Sequence, residues 1–167
     1  MDVREVFEDF FSRVDENVRA VVEGLTPGQL AWAPDSGANP IGWQVWHLAR
    51  VQDSHVTELL GGEEVWVSGE WAVRFGLDPD PGNTGYGHTA EEVAGVRAEG
   101  PDALTGYYDA VRARTGELLA ALDAAGLDRI VDRRWDPPVT LGVRLVSIVD
   151  DCAQHVGQAA YVRGLLR

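Results

Sequence analysis

The chain contains no lysine; all 14 of its basic side chains are arginine. That absence excludes Schiff-base chemistry and the phosphate-gripping lysine of a P-loop together. The same bias suits a GC-rich genome such as an actinobacterium's. Cysteine is nearly as scarce. Cys152 stands alone, which excludes a disulfide framework within the chain and any CxxC zinc or redox site. Long apolar runs are missing too. The longest stretch free of Asp, Glu and Arg is Ser36 to Ala49, 14 residues that include Pro, Asn, Gln and His. A bilayer span needs about 20 apolar residues, so no membrane segment is expected. Positive charge is in deficit: 27 acids against 14 bases leave a net charge of −13. Such a balance repels nucleic acid and anionic lipid alike. The opening residues Met1-Asp2-Val3-Arg4-Glu5 are too acidic for the n-region of a signal peptide. A reduced, cytoplasmic setting is the expectation.

What is present suffices for one folded unit spanning residues 1–167, close to the prior of about 150 residues per domain. With 45% apolar residues, a chain of this size can bury roughly 70% of its unfolded surface. In the first segment Val3, Phe7, Phe10, Val14, Val18, Val21 and Leu25 recur at steps of three or four, the period of an amphipathic helix. Gly24 and Thr26-Pro27-Gly28 stop it. A loop from Pro34 to Pro40 leads into a second helix over Pro40 to Leu60, closed by Gly61-Gly62. Residues 63–100 are irregular, apart from a capping box at Thr89 and Glu92 that opens a short helix ending at Gly100. Pro101 suits the first turn of a third long helix, which carries Leu104, Tyr108, Val111, Leu118 and Leu122 and stops near Gly126. After the loop Asp132 to Pro138, a last helix runs from about Thr140 to Leu166 and is apolar over more than half its circumference. The expected fold is all-α: a four-helix bundle with an irregular insertion between helices two and three.

Asp151 and His155 lie four apart on the last helix, so their side chains share one face. That face continues the stripe of Ile148 and Val162, which points inward. Ionisable groups on an inward stripe must be neutralised, paired or bound to something. The spacing suits a shared metal ion; it equally suits a buried Asp–His hydrogen bond. A third ligand would come from helix two, where two histidines compete. Helix phase favours His55, on the stripe of Val45, Leu48 and Leu59, whereas His47 lies about 100° from Leu48. Position along the axis favours His47, near the middle of the helix and amid apolar residues. The two are eight residues apart, roughly 12 Å along the helix, too far to share an ion comfortably. Three further residues are candidates around the site: Gln158, three after His155; Arg144, seven before Asp151, for a substrate carboxylate at the pocket mouth; and His88, flanking the entrance. Cys152 has apolar neighbours and reads as a core residue.

Two segments carry a resemblance: Asn39-Pro40-Ile41-Gly42-Trp43-Gln44-Val45-Trp46-His47-Leu48 and Asp150-Asp151-Cys152-Ala153-Gln154-His155-Val156-Gly157-Gln158. With them the chain resembles the DinB-like superfamily over essentially its whole length. That superfamily includes mycothiol-dependent maleylpyruvate isomerases, low-molecular-weight thiol transferases and the N-terminal domain of the sulfoxide synthases of ergothioneine formation. The resemblance implies a metal held by His47, Asp151 and His155. Many members have His where this chain has Asp151, and the isomerase-like branch has Glu. Zinc is the first expectation for the ion, with nickel and iron(II) as alternatives. The implied activity is metal-dependent thiol chemistry with a cofactor such as mycothiol, acting on an electrophilic small molecule by transfer or isomerisation. The alternatives are a non-catalytic, stress-associated metal-binding protein and a structural bundle with a buried Asp–His pair. No nucleic-acid or membrane partner is expected, and a homodimer fits the superfamily.

Overall fold

The computed structural model describes residues 1–166. Helix α1 (Val3–Val22) begins at a reciprocal capping box between Asp2 and Glu5 and buries Phe11, Val14, Val18, Val21 and Val22. The more N-terminal Val3, Phe7 and Phe10 are only half-buried. Thr26-Pro27-Gly28, expected as a plain stop, instead opens a one-turn helix α2 (Pro27–Leu30), because Thr26 and Gln29 cap it reciprocally. Helix α3 (Ile41–Leu60) starts after Pro40 and ends at Gly61.

The insertion contains helix α4 (Val65–Ser68), a 3₁₀ turn (Ala72–Phe75) and helix α5 (Ala90–Gly95), capped by Thr89 and Glu92 as expected. Helix α5 ends five residues before Gly100. Beyond it Val96 and Ala98 are buried while Arg97 and Glu99 are exposed, a period of two. Arg97 and Glu99 donate their amides to the carbonyls of Phe75 and Arg74, so this stretch is extended chain laid against the 3₁₀ turn. Helix α6 (Pro101–Ala120) has Pro101 in its first turn. Helix α7 (Leu141–Leu165) is N-capped by Thr140.

Helices α1, α3, α6 and α7 form the bundle, with α3 packed most extensively on α7 and α6. Their shared core includes Phe11, Trp46, Leu48, Tyr107, Val111, Leu145, Ile148 and Cys152. Burying each large side chain contributes about 2 kcal/mol from the removal of apolar surface. The segment before α7 differs from the expected loop. Strands β1 (Ile130–Asp132) and β2 (Val139–Thr140) pair antiparallel around it. Strands of three and two residues leave no readable alternation; the hairpin is held instead by Asp132, which Arg134 and Arg144 both contact. Cys152 is fully buried, and its thiol is pushed well up by that burial. No helix among the described residues is long and apolar enough to cross a membrane.

Candidate metal centre

The first ten residues of α3, Ile41 to Arg50, are all buried. The bundle covers one side, and residues 83–88 of the insertion lie against His47, Trp43 and Trp46. His47 therefore faces protein although it lies about 100° round the helix from Leu48. Gly85 shows how closely this segment approaches: a Cβ there would stand 2.7 Å from His47 Nδ1 and 2.8 Å from a ring carbon of Trp46. Its φ of 90° is also a conformation that glycine adopts freely.

Across the α3–α7 interface His47 meets Asp151 and His155. One ligand atom from each residue lies within 4.8 Å of the other two. Asp151 Oδ1 is 3.7 Å from His47 Nε2 and 3.6 Å from His155 Nε2. Both separations exceed hydrogen-bond length, typically about 2.7–3.2 Å. They lie close to the edge of a tetrahedral zinc site, about 3.4 Å when the ion–ligand bonds are about 2.05 Å.

The outer nitrogens of both histidines are committed. His47 Nδ1 lies 2.6 Å from the Thr84 carbonyl, which can only accept, so Nδ1 carries the proton and Nε2 the lone pair. His155 Nδ1 lies 2.5 Å from Gln44 Oε1 and is assigned the same tautomer. Two imidazole lone pairs and one carboxylate oxygen thus converge, each imidazole backed by an acceptor, the arrangement that orients histidines at metal sites. Trp43 stacks on His47 at 4.6 Å between ring centroids, and the His47 and His155 rings meet edge to face at 4.5 Å.

The electrostatics agree. Burial raises the Asp151 carboxyl from 3.8 to about 7, with the neighbouring Asp150 adding to the effect. Burial lowers His155 to about 4, reinforced by His47, and burial likewise lowers His47. Asp151 Oδ2 is buried without a hydrogen-bond partner. A dication would compensate this carboxylate and accept both lone pairs, so the residues present fit a metal. Asp151 and His155 keep 23% and 17% of their side chains exposed, which leaves one side of the centre open.

The other candidates fall elsewhere. His55 lies at the far end of α3, where Arg144 donates to its Nδ1 at 3.0 Å and Glu58 stands 3.7 Å away. Arg144 is turned to Asp132 and His55, not to the mouth of the site. Seven residues before Asp151 amount to two full turns, about 10 Å along the axis. Gln158 is exposed, and no hydrogen bond joins it to the centre among the described residues. Three residues turn a helix about 300°, a net offset of about 60° from His155, and that offset lies toward solvent. The acceptor behind His155 is Gln44, a polar residue in the apolar run of α3 whose only sequence signal was that oddity. His88 does stand beside the centre. It accepts from Trp43 Nε1 at 3.2 Å and donates from Nε2 to Asn83 Oδ1 at 2.8 Å, so both ring nitrogens are occupied and neither is a ligand.

Two cavities adjoin this assembly, of about 440 Å³ and about 610 Å³. His88 and Arg97 line the first, and Gln44, Gln158 and Tyr161 line the second. Asp35, Gly37, Ala38 and Asn39 form a wall common to both.

The family model of the DinB superfamily matches residues 11–159, which include His47, Asp151 and His155. The chain belongs to the DinB superfamily. A solved structure, described as the conserved protein of locus from Enterococcus faecalis, is 31% identical over 98% of this chain and 96% of its own, with a TM-score of 0.89. No curated protein matches this DinB chain.

Proposed function

We propose that this DinB protein holds a divalent metal ion on His47, Asp151 and His155 and uses it in thiol chemistry on an electrophilic small molecule. The observation that carries the metal reading is the spacing around Asp151 Oδ1. It stands 3.7 and 3.6 Å from two imidazole nitrogens that are both free to ligate, and it hydrogen-bonds neither. A structural Asp–His pair would have closed one of those gaps.

When bound, the ion supplies the charge that keeps a coordinating thiol deprotonated at neutral pH. The chain's own residues then have defined tasks. His47 and His155 keep their Nε2 lone pairs inward through Thr84 and Gln44, and Asp151 supplies the single negative charge. The exposed edge of Asp151 and His155 leaves room for the sulfur of a small thiol cofactor such as mycothiol. The adjoining cavities have the volume of small-ligand sites, about 300–1,000 Å³. A thiol held at the open edge of the centre would lose its proton to solvent and bond through sulfur to an electrophilic carbon, from which a leaving group such as chloride departs in substitution. Retention of that bond is transfer; its cleavage after rearrangement is isomerisation. Neither ring nitrogen of His88 is free to act as a base. Zinc suits the donor set first, with iron(II) and nickel as alternatives.

The test is elemental analysis of untagged protein purified without chelator, followed by a thiol-conjugation assay with mycothiol and an aromatic chloride. One equivalent of metal and metal-dependent loss of thiol are expected. Protein that binds no divalent ion at micromolar concentration refutes the metal reading, and metal without loss of thiol refutes the transferase reading.

A further inference from the structure

Three residues after His47 on the same helix, Arg50 is fully buried. Its guanidinium divides its donors between two sets of partners. On one side NH1 meets Glu64 Oε2 at 2.8 Å, Tyr107 Oη at 3.2 Å and Asp53 Oδ2 at 3.4 Å. Asp53 in turn accepts the amides of Val65 and Trp66 and the hydroxyl of Tyr107. The guanidinium also lies over the Trp66 ring, 5.1 Å from its centroid. These contacts hold the cation and tie down α4.

The other side has a different target. Nε donates to the Asn83 carbonyl at 3.0 Å and NH2 to the Pro81 carbonyl at 3.1 Å. The next carbonyl, Thr84, accepts from His47 Nδ1. One helix face therefore reads one short strap of backbone: Arg50 grips Pro81 and Asn83, and His47 takes Thr84. Residues 77–85 contain no regular element of their own that could hold Thr84 in place.

We infer that Arg50 is a positioning residue for the metal centre, fixing the strap so that the Thr84 carbonyl holds His47 as the Nδ1–H tautomer with Nε2 open to the ion. The inference rests on the metal reading above. It also explains why the position carries arginine. The planar fork reaches two carbonyls while its third nitrogen stays on the carboxylates; a lysine ammonium would keep the charge and lose the fork.

The test is Arg50→Lys, read by zinc affinity in chelator competition and by ¹⁵N chemical shifts of the His47 ring in metal-free protein. Removal of a partner that orients a ligand typically weakens metal binding about 10- to 100-fold, and that loss is expected here, together with a mixed His47 tautomer. Should Arg50→Lys fail to fold, Arg50→Gln combined with Glu64→Gln keeps the cluster's net charge and takes its place. A folded variant with wild-type zinc affinity and an unchanged His47 tautomer overturns the inference. If wild-type protein binds no zinc, the metal reading fails instead, and the tautomer of the metal-free variant still decides whether Arg50 sets His47.

Discussion

Replacing Asp151 by Asn should stabilise the metal-free protein while abolishing its metal site. In the folded chain burial holds the Asp151 carboxyl at about 7 instead of 3.8. Above pH 3.8 the unfolded chain sheds this proton first, so the unfolded state gains relative to the folded one as pH rises. The folded state catches up only at about 7. Between those limits stability falls with rising pH, and above 7 the loss is complete. At about 1.36 kcal/mol per pH unit, the interval sets a ceiling of about 4 kcal/mol. Asp151 is 23% exposed, and partial hydration of this kind reduces the expected figure to about 1–2 kcal/mol. For a chain of this size that is a rise in Tm of about 2–8 °C. The assay is thermal unfolding of metal-free wild type and Asp151→Asn from pH 4 to 8. The two curves should meet near pH 4 and separate as pH rises, with the variant above. With saturating zinc the order should reverse, because an ion that binds only the folded state stabilises it by mass action. A metal-free Asp151→Asn that is less stable than wild type at pH 7.5 would refute the reasoning. It would show that Asp151 is stabilised by a histidine partner, not stranded without one.

Alanine at His47, Asp151 or His155 should each cut metal content sharply, whereas His55→Ala, at the far end of α3, should leave it nearly unchanged; Asp151→Glu should retain binding. Elemental analysis of the purified variants decides between these outcomes. Gln44→Leu should weaken zinc binding about 10- to 100-fold by removing the acceptor behind His155, and Gln158→Ala should leave it within a factor of two. Equal effects at the two glutamines in a competition titration would contradict the geometry. Duplex DNA binding should be undetectable at physiological salt, since a net charge of −13 opposes the counterion release that drives such association; a sub-micromolar Kd in an anisotropy titration would overturn this.

Much of the architecture is written in local sequence. The 3.6-residue period, the capping pair Thr89–Glu92 and the first-turn Pro101 act over a few residues of chain, and the elements they specify are present. Asp151 and His155 could be paired from sequence for the same reason, because helix geometry alone brings i and i+4 together. The hairpin around residues 130–140 was hidden because its strands are too short to alternate. The choice between His47 and His55 was hidden more deeply. Periodicity locates the buried face of a helix only while another face stays wet, and Ile41 to Arg50 have no wet face.

From sequence alone, then, come a helical bundle, a carboxylate and an imidazole on one face of its last helix, and, through the likeness to DinB proteins, His47 as their partner. The tertiary structure alone decided what surrounds them. Gln44 reaches His155 across 111 residues of chain, and the Thr84 carbonyl reaches His47 across 37. A backbone carbonyl is the same in every residue, so no motif could have announced Thr84. Nor could one have announced Arg50's part in it, since the partners that tie it to the strap are two more such carbonyls. Which carbonyl faces which ring is set by the packing of the insertion on α3, and packing is a property of the folded chain, not of any short stretch of it.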